Sequence, residues 1–301
     1  MITSKHVAFQ EPEAPTACEQ QERKPNPEMT TRYTDDEWAS IIAQTERNVR
    51  VLEVPRPCPS IDSPDFARTI DHTLLKIEAT SKQIDGLCAE ARVAGFASVC
   101  VRPNYVAQAH ADVKGSGVKV ACVVGFPEGT QDLYQKMQET RHAVESGADE
   151  LDVVLNWPLL KAGDYSSIYK ELATLRSQAP HPIIAACTIA AAANLDFVKT
   201  STGFLGQGAT EENVRLMATC CDVLAVGRRD GGKMLVKASG GIRTLDDAVK
   251  MLEAGASRLG TSGGVWIVKE ARESVERSRS PPMRDSPAER PGLTTRLFTD
   301  Y

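Results

Sequence analysis

Two lysines stand out in this chain because each closes an apolar run and is followed by small residues and glycine. Lys199 ends DFVK before TSTG, and Lys237 ends MLVK before ASGG. A lysine at a strand end commonly extends its ammonium into water, and this interpretation stays open for each one alone. Two such lysines close together favour chemistry, because each raises the cost of charging the other. A neutral lysine amine attacks a carbonyl and forms a Schiff base, which is the electron sink of aldol cleavage.

Two aspartates share this context. Asp152 lies in ELDVV at the end of another apolar run, where its carboxylate would hold a lysine or relay protons to a substrate hydroxyl. A structural ion pair is an equal alternative. Asp71, in IDHTLL, is a similar candidate. The sequence therefore predicts a carboxylate beside the lysines without deciding between the two roles.

Three small polar segments indicate phosphate binding: TSTGF at 200–204, SGGIRT at 239–244 and GTSGG at 260–264. Backbone N–H groups of glycines at helix starts bind phosphate, and barrels often place such a site after their last two strands. Glycine is also common in ordinary loops, so the position of the segments carries the interpretation. The candidate residues after the last two strands are Gly240, Gly241, Ser262 and Gly263.

Composition argues against metal, nucleic-acid and membrane partners. The five histidines show no ligand spacing and the eight cysteines form no CxxC pair. A net charge of −5 with 5% aromatic residues disfavours nucleic acid. No apolar run has the length of a membrane span or the form of a secretory signal, and cysteines within apolar runs suit a reducing cytosol. We expect a cytoplasmic protein with a small-molecule ligand, whose oligomeric state stays open, a homo-oligomer included.

The elements that must position these residues recur along the chain. Four times a helix ends in a small residue with glycine or asparagine and a strand follows, at 94–101, 146–154, 192–200 and 254–261. RTIDHTLL, VKVACVVGF and KMLVKASGG indicate further strands. Strands that are apolar on both faces and alternate with helices predict a parallel sheet, and since no GxGxxG is present we favour a (β/α)8 TIM barrel. The carboxyl ends of its strands would bring the candidate residues to one mouth.

One cycle is short for a regular barrel. Between ELDVVLNW and DFVKTS the sequence offers the helix YSSIYKELATLRSQ and then only APHPIIAACTIAAAANL. A strand of about five residues and a helix of about eleven, with their loops, do not fit comfortably there. We expect the fifth strand to be lost or cramped near residues 180–188.

Composition divides the chain into four regions. Residues 1–32 and 273–301 are polar and proline-rich, which predicts disordered N- and C-terminal tails. Residues 33–65 hold a linker and a helix that Thr34 and Glu37 would cap. Residues 66–272 would form the barrel domain. Tyr301, in the C-terminal tail, is either a proton donor that reaches the mouth or a tyrosine there by chance, and the sequence favours the second interpretation without deciding the role.

Seven motifs occur in an order that is typical of one family. They are IDHTLLK, GFASVCVRPNYV, GSGVKVACVVGFP, GADELDVV, DFVKTSTGF, VKASGGIRT and RLGTSGGV. Through them the chain resembles deoxyribose-phosphate aldolase over about residues 66–270. The resemblance implies a class I aldolase on a (β/α)8 barrel without metal or organic cofactor. Such an enzyme reversibly cleaves 2-deoxy-D-ribose 5-phosphate to D-glyceraldehyde 3-phosphate and acetaldehyde in deoxyribonucleotide catabolism.

The resemblance also implies roles for individual residues. Lys199 matches the Schiff-base lysine, Asp152 the acid/base aspartate, and Lys237 the second lysine, which favours the neutral amine of the first and shares in proton transfer. The phosphate would rest on Gly203, Gly240, Gly241 and Ser262. Asp71, Thr202 and Gly263 complete the predicted substrate-binding and phosphate-binding set.

The chain departs from the family pattern in three places. A VIIET-like fifth-strand segment is absent between His181 and Ile184, Gly263 stands where many relatives have serine, and GRRDGGK at 227–233 lengthens the approach to strand seven. Two alternatives therefore stay open beside the working aldolase. One is a catalytically defective splice or gene-model variant that binds sugar phosphate without turnover. The other is a Schiff-base aldolase with a different phosphorylated acceptor.

Overall fold

The structure is a computed structural model that describes residues 33–51, 53–178, 182–184, 187–204, 208–225, 228 and 232–279. Three sequence predictions lie outside these residues: the tail at 1–32, the C-terminal tail from 280 to Tyr301, and the chain at His181.

Eight parallel strands form a closed barrel. They are β1 (Ile70–Thr73), β2 (Ser98–Val101), β3 (Lys119–Val124), β4 (Glu150–Val153), β5 (Pro182–Ile184), β6 (Phe197–Lys199), β7 (Leu235–Ser239) and β8 (Arg258–Thr261). Each strand pairs in parallel with the next, and β8 closes the barrel on β1. The predicted (β/α)8 architecture is confirmed.

Helices surround the barrel. They are α1 (Asp35–Asn48), α2 (Pro64–Ala67), α3 (Ser81–Ala94), α4 (Val106–Val113), α5 (Leu133–Glu145), α6 (Trp157–Ala162), α7 (Tyr165–Gln178), α8 (Cys187–Ala192), α9 (Glu211–Ala225), α10 (Leu245–Ala254) and α11 (Gly264–Arg279). The main core lies between strands and helices, where Val99, Val124 and Leu172 are fully buried. None of the helices in the described part of the chain is both long and apolar enough to cross a membrane.

Local signals set the helix ends as the sequence predicts. Thr80 and Gln83 form a capping box at the start of α3, and Gly95 follows its end in the left-handed region at φ 71°. Thr34 and Glu37 form the same box at α1. These side chains satisfy N–H groups that the first helical turn leaves unpaired, and glycine adopts the left-handed turn without steric cost. Such ends turn the chain back toward the next strand.

The fifth strand is cramped rather than lost. β5 has three residues and pairs with β4 along its whole length. Its described pairing with β6 consists of one residue pair, Ile183↔Phe197. The helix that follows, α8, has only six residues, because little chain is left between β5 and the start of β6. The β5–β6 seam is therefore the most sparsely paired junction described in the barrel.

The N-terminal helix packs beside this short cycle. α1 contacts α7, α8 and α9 on the outside of the barrel. Trp38 is fully buried, with its ring 5.0 Å from that of Tyr33 and 5.3 Å from that of Tyr169. The Ser166 N–H donates to Asp35 Oδ1 at 2.8 Å and joins the starts of α1 and α7. α1 thus adds apolar packing where α8 is short.

The last helix extends beyond the predicted barrel boundary. α11 continues to Arg279, so residues 273–279 are helical and the prediction of a disordered tail from 273 was wrong for them. Arg277 Nε donates to the Glu273 carbonyl at 3.3 Å and Ser278 Oγ to the Ser274 carbonyl at 2.9 Å. The sequence has no apolar stripe here, but a helix that is already nucleated gains a backbone hydrogen bond for each added residue.

Candidate active site

Four charged side chains meet inside the carboxyl end of the barrel. β1 carries Asp71, β4 carries Asp152, β6 carries Lys199 and β7 carries Lys237. The two lysines are direct partners across the β6–β7 ladder. Successive strand residues point to opposite faces, so the valines before both lysines pack against the helices while the lysines face the interior. The structure therefore brings together the four charged residues predicted from separate motifs.

The four side chains form one hydrogen-bonded network. Lys199 Nζ donates to Asp152 Oδ2 at 2.5 Å, and Lys237 Nζ donates to the same oxygen at 3.1 Å. Lys237 Nζ also donates to Asp71 Oδ2. Ser98 Oγ donates to the other Asp71 oxygen at 2.8 Å. Two ammonium groups and two carboxylates balance in charge, which allows the network to be buried.

The two lysines differ in their exposure to solvent. Lys237 and Asp71 are 0% exposed and Asp152 is 3% exposed, whereas Lys199 is 8% exposed. Lys199 is thus the member of the network that a ligand in the mouth reaches first. Lys237 lies behind it and contacts both carboxylates.

The carboxylates hold Lys237 in its charged form. Burial by itself would lower the pKa of Lys237, but attraction to Asp71 and Asp152 outweighs burial and raises that pKa. The sequence predicted mutual repulsion of two lysines, whereas the structure places a shared carboxylate between them. Lys237 therefore retains its proton at neutral pH.

Both aspartates are ionised for the reciprocal reason. Burial by itself would raise the pKa of Asp152, but attraction to Lys199 and Lys237 outweighs it and lowers the pKa to about 2. Burial opposes ionisation of Asp71 too, and attraction to Lys237 again brings its pKa below the usual range. Asp152 is consequently a carboxylate at neutral pH.

A second charged pair lies one layer below the network. Arg258 is the ladder partner of Lys237, and its Nη1 donates to Glu150 Oε2. Its guanidinium lies 5.0 Å from the centre of the Phe197 ring. The positive charge of Arg258 also helps to keep Asp71 ionised. The interior of the barrel is thus polar over two layers at this side.

The loops after β6 and β7 pack directly on each other. Thr200 Oγ1 donates to the Ser239 carbonyl at 3.1 Å and accepts from the Ser239 N–H at 3.0 Å. Gly240 has φ 88°, and a Cβ there would lie 3.1 Å from the Gly203 Cα. Gly241 follows with φ 83°. Glycine is required at Gly240 because the two backbones approach too closely for a side chain.

The loop after β8 joins the same surface. Thr261 Oγ1 donates to the Ile242 carbonyl at 2.7 Å and accepts from the Gly263 N–H at 2.9 Å. Ser262 between them is exposed. In the β6 loop, Thr202 Oγ1 accepts from the Phe204 N–H at 3.3 Å. The predicted phosphate-binding residues therefore line three contiguous loops beside the lysines.

A family model described as DeoC/LacD family aldolase matches residues 66–180 and 169–269. The chain belongs to the DeoC/LacD aldolase family. A relative from Coccidioides immitis, named deoxyribose-phosphate aldolase, is 43% identical over 254 residues, which cover 79% of this chain and 92% of the relative. A relative of the same name from Thermoanaerobacter sp. is 44% identical over 224 residues, which cover 68% of this chain and 96% of the relative.

Solved structures agree with the family assignment. The crystal structure of a protein from Coccidioides immitis matches with a TM-score of 0.74 at 41% identity. The match covers 80% of this DeoC/LacD family chain and 98% of the other chain. A deoxyribose phosphate aldolase from Aeropyrum pernix, described as tetrameric, has a TM-score of 0.63 at 30% identity, with 73% and 100% coverage. The barrel thus has the fold of this aldolase family.

Sequence reasoning missed three residues of this aldolase site. Ser98 precedes an apolar run, Glu150 begins a strand and Arg258 follows a helix end, so each resembles an ordinary surface residue in the sequence. One signal for Glu150 was available in the sequence. Side chains alternate between the two faces of a strand, so Glu150 must lie on the same face of β4 as Asp152. Within the described part of the chain, no three histidine, cysteine or acidic side chains are arranged to hold a metal ion, and the metal-free site stays a prediction.

Proposed function

We propose that this aldolase reversibly cleaves 2-deoxy-D-ribose 5-phosphate to D-glyceraldehyde 3-phosphate and acetaldehyde through a Schiff base on Lys199. The names of the relatives from Coccidioides immitis and Thermoanaerobacter sp. support the reaction. The observation that carries the mechanism is the position of Lys199, the most exposed member of a buried network of lysines and aspartates. Residues 66–272 are the proposed catalytic domain.

The first step is attack of the Lys199 amine on C1 of the open-chain sugar. Lys199 must first lose a proton, and Asp152 Oδ2 lies 2.5 Å from its Nζ as an acceptor. In this proposal the proton passes from Lys199 to Asp152, while Lys237 keeps its own proton between the two aspartates. Asp152 returns this proton to the hydroxyl of the adduct, which leaves as water, so that a protonated imine forms and Asp152 is again a carboxylate. This role makes Lys199 the nucleophile and Asp152 its proton acceptor.

The second step is cleavage of the C2–C3 bond. The C3 hydroxyl gives its proton to the Asp152 carboxylate, whose charge Lys237 stabilises at 3.1 Å. Electrons of the C2–C3 bond move into the imine, C3 becomes the aldehyde carbon of D-glyceraldehyde 3-phosphate, and an enamine stays on Lys199. Lys237 and Asp152 return a proton to C2. Water then hydrolyses the imine and releases acetaldehyde.

The 5-phosphate would lie on the three loops. Backbone N–H groups of Gly203, Gly240, Gly241 and Ser262 are the proposed donors, with Thr202 and Gly263 beside them. Asp71 is fully buried and is hydrogen-bonded to Lys237 and Ser98. In this proposal Asp71 therefore positions Lys237 and does not touch the phosphate.

Borohydride reduction tests the proposed Schiff base. The folded protein is incubated with acetaldehyde, reduced and digested, and we expect a reduced ethyl adduct on Lys199. The Lys199→Met variant should carry none, while Lys233→Met, which removes a half-exposed lysine paired with Asp222, should be modified as the wild type is. Wild-type protein that is folded but shows no adduct at Lys199 would refute the mechanism.

The setting of the reaction is part of the same proposal. We place it in deoxyribonucleotide catabolism in the cytoplasm, since the proposed substrate is the phosphorylated sugar of deoxyribonucleosides. A homo-oligomer is supported by the tetrameric relative from Aeropyrum pernix, and sedimentation velocity of the full chain measures it. The catalytically defective alternative gains no support, because the four side chains of the network are in hydrogen-bond contact.

A further inference from the structure

Three thiols meet outside the barrel, where α8 contacts α9. Cys187 is the first residue of α8, and Cys220 and Cys221 are neighbours in α9. The three thiols are near enough that Cys220 and Cys221 both raise the pKa of the Cys187 thiol through hydrogen bonding. All seven cysteines of the described residues are free, so this contact joins thiols that are not already in a disulfide. The proposed aldol chemistry uses none of the three.

The three thiols differ in access. Cys187 and Cys220 are partly exposed, whereas Cys221 is buried. A dissolved oxidant therefore reaches Cys187 and Cys220 before it reaches Cys221. Cys88 and Cys122 lie buried elsewhere in the protein. A small oxidant that enters from solvent thus meets Cys58 and the pair between α8 and α9 before the buried thiols.

The hydrogen bond makes the pair chemically unequal. Donation from the Cys187 thiol stabilises the thiolate of Cys220, which lowers the pKa of Cys220 and raises that of Cys187. Burial and the charge of Glu46 oppose this effect at Cys220 without reversing it. Burial raises the pKa of Cys88 and of Cys122 to about 12. Thiolates are the reactive form, so Cys220 is the favoured attacking sulfur and Cys187 the sulfur that resolves the product.

The neighbouring cysteines of α9 cannot easily pair with each other. Consecutive Cα atoms are about 3.8 Å apart, which is shorter than the separation of about 4.4–6.8 Å that disulfides usually span. Cys187 approaches from a different helix and is free of this restriction. The partner of Cys220 is therefore Cys187.

We propose that Cys187 and Cys220 are a redox-active pair that hydroperoxides convert to a disulfide between α8 and α9. The Cys220 thiolate attacks the hydroperoxide, takes one oxygen and, with one proton, releases an alcohol or water. The Cys187 thiol then attacks the sulfenic acid, and the disulfide forms with loss of water. Two thiols are oxidised and one hydroperoxide is reduced, so the electrons balance.

The disulfide would close a loop that contains β6. Residues 187–220 include Lys199 and the glycine loop that follows it, and β5 meets β6 at one described residue pair. A disulfide between α8 and α9 would therefore stabilise the β5–β6 junction, which has the fewest described strand pairs. A cross-link also reduces the freedom of the unfolded chain, so the oxidised protein should be the more stable form. This inference is independent of the proposed function.

Peptide mapping of the native full chain tests the pair. The protein is treated with equimolar hydrogen peroxide, free thiols are blocked in denaturant with N-ethylmaleimide, and tryptic peptides are measured without reduction. We expect a linked product of peptides 177–199 and 216–228, which carry Cys187 and Cys220. It should vanish after reduction, in Cys187→Ser and in Cys220→Ser. Cys221→Ser and the control Cys58→Ser should retain it at the wild-type yield.

Two results would overturn the inference: no linked peptide from native wild-type protein, or a linked peptide that persists in Cys220→Ser. If Cys187→Ser or Cys220→Ser fails to fold, the Cys221→Ser variant still tests the pair. It removes one of the two α9 thiols near Cys187, so a linked peptide in this variant must use Cys220. Thermal unfolding supplies a second measurement. The Tm of the oxidised wild type should rise by several degrees and return with dithiothreitol, and an unchanged or lower Tm would refute the tether.

Discussion

At the scale of single residues, the two lysines are alike in the sequence and unlike in the structure. Lys237 is fully buried between Asp71 and Asp152, and Lys199 contacts Asp152 while it keeps some exposure. The same residue type therefore has two environments. In the proposed mechanism, Lys237 stores a proton behind the site and Lys199 presents its amine to the mouth.

Asp152→Asn should impair turnover more than binding. The amide cannot accept the proton from Lys199 or from the substrate hydroxyl, so we expect kcat to fall roughly 10²- to 10⁴-fold with a smaller change in KM. Steady-state kinetics measure both constants. Asp65→Asn, which removes an exposed ion pair with Arg68, should leave them unchanged. A kcat close to that of the wild type would contradict the role of Asp152.

Lys237→Met should destabilise the fold as well as the reaction. It leaves the buried Asp71 carboxylate without its ammonium, and breaking such a pair costs about 3–5 kcal/mol. Urea unfolding measures the loss in the free energy of unfolding. Lys250→Met, which breaks a half-exposed pair with Asp246, is the control and should leave the free energy of unfolding nearly unchanged. Equal losses in the two variants would show that the buried network does not stabilise the barrel.

At the scale of elements, the shortened fifth cycle depends on its neighbours. β5 supplies three residues and α8 six, while α1 and α7 pack beside them. The family match is split at the same place, since its first part ends at residue 180. A helix from outside the repeating unit thus contributes to the barrel where the repeat is short.

Trp38→Ala tests the contribution of α1. The indole is fully buried against Tyr33 and Tyr169, so its removal should cost about 3–5 kcal/mol of the free energy of unfolding. Trp266→Ala is the matched control, because Trp266 is 67% exposed on α11 and its loss should be nearly neutral. Urea unfolding compares the variants. If both cost the same, α1 does not stabilise the fold.

At the scale of the whole molecule, the buried network makes stability depend on pH. Asp152 has its pKa lowered from 3.8 to about 2, so its contribution is complete above pH 3.8 and is lost as the pH falls toward 2. This shift corresponds to about 2 kcal/mol. The raised pKa of Lys237 acts in the opposite sense, since its contribution is complete below 10.5 and is lost only at higher pH. The network therefore stabilises the protein over a wide neutral range.

Unfolding in urea at pH 2 and at pH 7 measures this dependence. We expect the wild type to lose stability between these values and Asp152→Asn to lose about 2 kcal/mol less between pH 7 and pH 2, because it lacks the group whose pKa is shifted. Acid denaturation from other carboxylates affects both proteins and cancels in the comparison. Parallel pH profiles for the two proteins would contradict the lowered pKa of Asp152.

Much of the fold and of the candidate site was predictable from the sequence because the signals are local. Alternation of strands and helices, capping residues such as Thr80, and glycine at helix ends indicate a parallel barrel without reference to distant residues. The carboxyl ends of parallel strands share one mouth, so Lys199, Lys237 and Asp152 could be expected to meet. The end of α11 was misjudged because its last turns lack an apolar stripe.

The sequence by itself determined which residues occupy the mouth, since strand order and the period of two are encoded locally. Only the tertiary structure decided what each charge does. Whether Lys237 repels Lys199 or is neutralised depends on Asp152 lying between them, and that distance is set by the closure of the barrel. The same holds for Arg258 below the site and for Cys187 beside Cys220. Electrostatic and thiol chemistry depend on separations of a few ångströms between residues far apart in the chain, which no local pattern records.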